Sequence, residues 1–514
     1  MKIVNNFYKL SFLSLLIYPL SFINQILISN YFGTSRILDH YWTSLTTALL
    51  ITMHIGPIKE NLVNDFHKIR KYNYESANKY LSENILFWVI ITFIFGLLFW
   101  FNPISLLNLS KADKEISSSF TEIWIFRALI IFMLLQCIHD IFAAILVSLG
   151  KVLFQNLNRF TTTLGSVIII STMFDILKEY VLVVGIIIGM IFIIIYQIYE
   201  LNKLEINLFK FIFPKTSFNF MSKFSILFFA GTAGYFYVFY ERIVFNNIST
   251  GLISSFQYAK SLHDIPQHLF IIAIASSLWP LYIVNVNQKK GDHIYEMTIN
   301  KLLLIIVIFS WITLLLLFSA KQITYLVYFR GSFNNQSLET TYLCLKAVIL
   351  CLVPIGINTI LTRAIFSFGG IKLISLSIFL ANLSGCLVLF YANVNKSLII
   401  AIYNLLINSL ISLIIISYGF LKYTKKINSI LFWMKSISWL MRVFVCIIIV
   451  YFNYPFPSFE FKNKFNLILE LLIHYSGITF FLFLLFFIFG IIKINHFKRI
   501  WSELKSIKIN YSNK

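Results

Sequence analysis

The stretch YVLVVGIIIGMIFIIIYQIYE, residues 180–200, decides the fold class. It carries no charge before Glu200 and is apolar around the whole helical circumference. A helix tolerates that only inside a large core or a membrane. At about 1.5 Å per residue it crosses the roughly 30 Å hydrocarbon layer of a bilayer. Its Gly185-x-x-x-Gly189 pattern offers a small-residue face for close helix packing. The rest of the chain has the same character: of 514 residues, 59% are hydrophobic and 12% charged. A soluble chain averages about 25% charged residues, so too little polar material is present to cover a soluble surface. A disordered chain, a secreted disulfide scaffold and a nucleic-acid-binding domain are excluded together. An all-α polytopic membrane protein remains.

Splitting the sequence at its polar breaks gives about fourteen runs of membrane-crossing length. They lie near 10–32, 37–58, 83–105, 120–149, 158–175, 180–200, 224–247, 252–286, 300–319, 341–367, 372–392, 397–420, 431–452 and 467–492. Lys2 and Lys9 precede the first run with no small-residue cleavage site after it, so it is expected to be retained as a span. With both termini cytoplasmic, about 27 Lys and Arg residues fall on that side and about 10 outside, as the positive-inside rule requires. Lys68-Ile-Arg70-Lys71, Lys289-Lys290, Lys422 to Lys426 and a tail with Lys498, Arg499, Lys505 and Lys508 carry the bias. The net charge of +21 then needs no nucleic acid to explain it.

The longest outer loop, about 320–341, is too short for a catalytic domain, and the chain reads as a transporter rather than an enzyme. No Gly-rich loop ending in Gly-Lys-Ser/Thr is present, so ATP is not expected to drive it. Cys137, Cys344, Cys351, Cys386 and Cys446 lie in apolar runs without paired or metal-ligand spacing and read as packing residues. No metal or organic cofactor is expected.

Sliding the sequence by about 217 residues aligns Asn30 with Asn247, Tyr41 with Tyr258 and Ser44-Leu45 with Ser261-Leu262. An offset of about 219 aligns Ser148-Leu149-Gly150 with Ser367-Phe368-Gly369. A duplication of this kind predicts an N-terminal lobe over 1–222 and a C-terminal lobe over 223–428 in parallel repeat. An extra helix pair and basic tail then occupy 429–514. Parallel repeats place a substrate path between lobes that rock against each other.

Charges within the hydrocarbon region cost several kcal/mol and mark candidate sites. The eighth run holds Lys260, His263 and Asp264, with Lys260 and Asp264 one turn apart on one helical face. Pro266 and Pro280 break the same run. That combination reads either as the wall of a wet cavity or as a self-neutralising structural pair. Arg127 lies inside the outer end of the fourth run, with Asp140 deeper. Arg363 and Lys346 sit near the two ends of the tenth, where a long cation can also snorkel to the headgroups. Asp39 and the Glu241-Arg242 pair mark outer ends of the second and seventh runs.

Three segments resemble the lipid II flippases of the MurJ/MviN type. NYFGTSRILDHYW, from Asn30, is similar to the family's Gly-x-x-x-x-x-Asp junction between its first two spans, here Gly33 to Asp39. ISTGLISSFQYAKSLHDIPQHLFIIAIASSLWPLYI, from Ile248, resembles its span 7–8 segment. YFRGSFNNQSLETTYLCLKAVILCLVPIGINTILTRAIFSFGG, from Tyr328, looks like its loop 9–10 and span 10. The resemblance implies two six-helix lobes about a central cavity, alternating access, and a groove at spans 13 and 14 for a polyprenyl tail. It implies a place in the bacterial cytoplasmic membrane and an undecaprenyl-diphosphate-linked glycan as cargo, with membrane lipids as the other partner. A monomer is expected.

The family usually carries cavity-facing arginines in spans 1 and 2. Here Phe7 to Asn30 and Trp42 to Pro57 contain none, and Tyr18 and Asn24 stand in the first span instead. Ser261 takes the place of a family arginine in span 8, with Lys260 beside it; Asp39 and Arg363 match. The less cationic cavity admits an O-antigen or capsule repeat unit as readily as lipid II. Lys260 and Arg127, with Arg363, Ser261 and Asn24, are the expected substrate contacts. Asp264, Asp39, Arg242 and Glu241 serve coupling or structure, and Pro266, Pro280 and Gly33 are hinges. Sodium or protons, or the membrane potential, would drive transport. The alternatives are a MATE-like multidrug or cation antiporter and, further off, a membrane glycan polymerase.

Overall fold

The computed structural model describes residues 2–53, 73–104, 119–204, 221–272, 291–424 and 463–489, with isolated positions within 55–69, 274–288 and 442–454. Among the described residues the fold is helical and contains no strand. In chain order the helices are α1 (Lys2–Phe32), α2 (Arg36–Leu49), α3 (Tyr74–Phe101), α4 (Phe120–Ser148), α5 (Leu157–Leu177), α6 (Val181–Asn202), α7 (Met221–Ile248) and α8 (Leu252–Pro266). There follow α9 (Gly291–Phe318), α10 (Ala320–Tyr328), α11 (Asn335–Ile349), α12 (Leu352–Ser367), α13 (Ile371–Val394), α14 (Leu398–Ile402), α15 (Asn404–Tyr423) and α16 (Lys464–Ile488).

Among the described residues six stretches are long and apolar enough to cross a membrane, or seven if the broken pair α11 and α12 counts as one. One of the six, Leu157–Asn202, is 46 residues long, far more than the roughly 20 a bilayer needs. It is a hairpin. Lys178, at φ 47°, ends α5, and α6 folds back on it. The Gly185-x-x-x-Gly189 face makes this possible: a Cβ at Gly185 would lie 2.6 Å from the Ser166 Cα, and one at Gly189 2.6 Å from the Thr162 Cα. With hydrogen in place of a side chain the two backbones touch.

The chain packs as two compact units. The first comprises Met1–Ile265, Val327–Val348 and Ile371–Ile415. Within it α4 packs against α2, α3 and α6, α5 joins α6 to α1, and α7 lies between α2 and α13. A buried cluster of Leu81, Cys137, Ile141, Ile145, Met190 and Ile193 fills the space among α3, α4 and α6. The second unit comprises Pro266–Leu326, Ile349–Gly370 and Ile416–Lys514. There α9 packs on α12 and α16, and Trp311 Nε1 donates to Thr479 Oγ1 at 2.9 Å. Large apolar side chains point outward along α6 (Phe192, Ile195), α13 (Leu387, Phe390) and α16 (Phe480, Phe487). In water such faces would aggregate; in lipid they are the surface.

The five cysteines are free, four of them buried, as packing residues should be. The outer loop expected over about 320–341 contains α10 and the start of α11. At nine residues α10 is too short to cross a bilayer. Pro280, the Lys68–Lys71 and Lys289–Lys290 runs and the tail cations lie outside the described residues, except Ile69.

Candidate functional site

Three turns meet at one end of the first unit. They are the α1–α2 turn at Gly33–Ser35, the α7–α8 turn at Ser249–Gly251 and the α10–α11 loop at Phe329–Asn334. The Ser332 amide donates to the Asn30 carbonyl at 2.9 Å, and the Thr34 and Ser337 hydroxyls lie 2.6 Å apart. Glycine is required where the backbones touch. Gly33 adopts φ +55° and Gly251 φ +83°, in the left-handed region. A Cβ on Gly251 would stand 2.7 Å from the Thr34 carbonyl oxygen, and one on Gly33 would collide with the Ser332 carbonyl.

Asp39 locks this junction. It is 3% exposed, in the first turn of α2, which Ser35 caps by accepting from the Leu38 amide. Its carboxylate accepts from the Gly251 amide, from the Ser254 amide at 2.8 Å and from the Ser254 hydroxyl at 2.5 Å. Those amides open α8, where helix geometry leaves N–H groups unpaired and the macrodipole favours negative charge. One turn on, the Tyr258 hydroxyl donates to the Gly33 carbonyl at 2.8 Å, and its ring packs 4.9 Å from that of Tyr328. The Ser261 hydroxyl donates to the Tyr258 carbonyl at 2.7 Å and meets the Tyr328 hydroxyl at 2.6 Å.

Arg242 and Glu241 are both buried on α7. Arg242 Nη2 donates to Gln257 Oε1 at 3.3 Å, while its Nε and Nη1 find no hydrogen-bond partner among the described residues. Asp39 lies within its electrostatic reach. Glu241 Oε1 accepts from Asn404 Nδ2 at 3.3 Å, and Asn404 in turn accepts from the Tyr237 hydroxyl.

Lys260 is half-buried on α8, and among the described residues no ion pair joins it to Asp264. Asp264 instead meets His263 Nδ1 at 3.1 Å. Of the two alternatives, the self-neutralising Lys260–Asp264 pair is not formed among the described residues. Pro266 ends α8, and a π-helical turn, Gln267–Ile272, follows. A wide turn after proline is a recognised site of bending.

Arg127 stands apart from this cluster. Its guanidinium carbon lies 5.4 Å from the Trp100 ring centre and 5.7 Å from that of Trp124, and no described contact brings it to Lys260. Asn24 accepts from Ser166 Oγ at 2.9 Å, joining α1 to α5. Asp140 accepts from Gln136 at 3.0 Å. Lys346 donates to the Tyr342 hydroxyl at 3.2 Å. Arg363 is half-buried on α12 in the second unit.

Ser254, Tyr258, Tyr328 and the Thr34–Ser337 pair were not singled out by sequence reasoning, because hydroxyl groups in a polytopic chain are common and unmarked. A signal was present nonetheless. The segments from Asn30, Ile248 and Tyr328 that carry the family resemblance are the three that converge here.

Comparison with known proteins agrees with that pattern. The family described as lipid II flippase MurJ matches residues 28–472. A relative named "Probable lipid II flippase MurJ", from Aquifex aeolicus (strain VF5), is 24% identical over 384 residues, 72% of this chain and 74% of that protein. Among solved structures, a lipid II flippase MurJ in an inward closed conformation superposes with a TM-score of 0.71 at 18% identity, covering 93% of this chain and 98% of the other. An inward-facing multidrug resistance MATE family transporter of the MOP superfamily gives 0.63 at 10% identity, over 80% and 94% of the two chains.

Proposed function

The chain belongs to the lipid II flippase MurJ family, and we propose that it carries an undecaprenyl-diphosphate-linked glycan from the inner to the outer leaflet of the bacterial cytoplasmic membrane by alternating access. The observation that carries this reading is the Asp39 latch. A buried carboxylate on α2 closes the start of α8, just above Lys260, which is half-buried and has no ion-pair partner among the described residues. The arrangement suits a gate shut at one end over a cationic holding point.

The physical problem is a diphosphate and a polar sugar that cannot shed their water into hydrocarbon. A desolvated cation replaces that water by charge-assisted hydrogen bonds, and Lys260 is assigned this role. Ser261, tied to Tyr328, links the loaded turn of α8 to the latch. Arg127, flanked by two indole rings, is reassigned from phosphate contact to interfacial anchoring. Opening the latch releases the headgroup outward while the polyprenyl tail stays in lipid.

With no nucleotide-binding loop in the sequence, the membrane potential or an ion gradient supplies the drive. About 2.3 kcal/mol is available per unit charge at 100 mV. Both termini are assigned to the cytoplasm and the protein to a monomer. Likeness to multidrug transporters at 10% identity reports fold alone.

The test is reconstitution into liposomes holding lipid II in one leaflet. Wild type is expected to make the headgroup accessible on the opposite face, and K260Q to do so at least tenfold more slowly. Transport of an O-antigen or capsule lipid but not lipid II would reassign the sugar. Transport of organic cations with neither lipid moved would overturn the proposal.

A further inference from the structure

Arg159 is a cation that the mechanism above leaves unused. It lies exposed in the first turn of α5, and among the described residues its side chain makes no ion pair. About two turns further along the same helical face, Ser166 donates to Asn24 of α1 at 2.9 Å. The face that carries Arg159 is therefore turned towards α1. Tyr18 of α1 lies within electrostatic reach of both Arg159 and Asp264 of α8.

Helix rise places these groups independently. α1 and α8 both run away from the latch, where the backbone of Gly251 lies against Thr34. At 1.5 Å per residue, Tyr18 lies about 22 Å along α1 from Gly33, and Asp264 about 18 Å along α8 from Leu252. Tyr18 and Asp264 thus lie within about one helix turn of each other in depth, with Arg159 in reach of Tyr18 and Lys260 a turn nearer the latch than Asp264.

We infer that Arg159 is a second diphosphate-holding residue, supplying from α5 the guanidinium group that the first span, arginine-free from Phe7 to Asn30, does not. The inference rests on the flippase reading above. The planar fork of Arg159 presents two parallel donors to two phosphate oxygens in a fixed geometry that the Lys260 ammonium does not offer. Two separate cations, one on α5 and one on α8, suit a diphosphate better than a monophosphate, so Arg159 sets selectivity between them.

The experiment measures binding of undecaprenyl-diphosphate-linked glycan and of undecaprenyl monophosphate to the full chain in lipid nanodiscs. R159Q is expected to weaken diphosphate binding about tenfold and to narrow the diphosphate-to-monophosphate preference, while R159K recovers part of both. Wild-type preference in R159Q, with K260Q still defective, overturns the role of Arg159 and leaves the flippase reading in place. Unchanged binding in both R159Q and K260Q overturns phosphate holding by these two cations altogether. If R159Q lowers the melting temperature, R159K decides: recovered preference supports the inference, and unrecovered preference overturns it.

Discussion

The Asp39 carboxylate on α2 accepts from both the amide and the hydroxyl of Ser254 on α8, at 2.8 and 2.5 Å. One buried acid thus joins two helices that the sequence separates by more than two hundred residues, at the point where α8 has donors to spare. Hydrogen bonds to a charged group are worth about 1.5–3 kcal/mol each in stability, so this contact weighs heavily on whether the junction is open or shut.

D39N keeps the shape of the side chain and removes its charge. The closed junction should lose about 1.5–3 kcal/mol, a shift of at least tenfold towards the open form. Ser337 is buried when the junction is shut, so a cysteine placed there in the D39N background should react at least tenfold faster with a membrane-impermeant maleimide. An unchanged rate would deny Asp39 its part in closure.

G251A strains the same junction by another route. Its Cβ enters the space of the Thr34 carbonyl, and φ +83° is costly for any residue but glycine. A loss of about 1–3 kcal/mol is expected, read as a lower melting temperature in detergent. Y258F, which removes only the bond to the Gly33 carbonyl, should cost about 1 kcal/mol.

Lys260 is tested by charge rather than by size. K260R should retain diphosphate-lipid binding to within about threefold and K260Q lose about tenfold, since a charge-assisted contact is replaced by a neutral one. Equal binding by K260Q and wild type, measured by titration in nanodiscs, would remove Lys260 from the site.

Gly189 provides the contrast. G189A forces a methyl group against the Thr162 backbone and should destabilise the α5–α6 hairpin by about 1–3 kcal/mol. Thermal unfolding should report that loss, while K260-dependent lipid binding persists below the melting temperature.

Residues 180–200 make the membrane fold legible, because a helix apolar on every side is stable in few settings besides a bilayer, and the Gly185–Gly189 face marks where that helix packs closely. Helix breaks are less visible. The run expected over 341–367 is interrupted between Ile349 and Leu352, and the one at 252–286 turns from α to π after Pro266; hydropathy is blind to both because the apolar content does not change. At the candidate site the i,i+4 spacing of Lys260 and Asp264 suggests a pair that His263 intercepts. The family resemblance points to Asp39 but not to its three donors, since two of them are backbone amides of a distant turn.

The most direct measurement is a reversible lock on the junction. Thr34 and Ser337 present hydroxyls 2.6 Å apart, so paired cysteines at these positions can reach the roughly 2.05 Å of a disulfide bond with little movement. Oxidised T34C/S337C in liposomes should flip no lipid II and recover on reduction, with each single variant active throughout. Full flipping by the oxidised, fully cross-linked protein would contradict a cycle in which this end of the molecule must open.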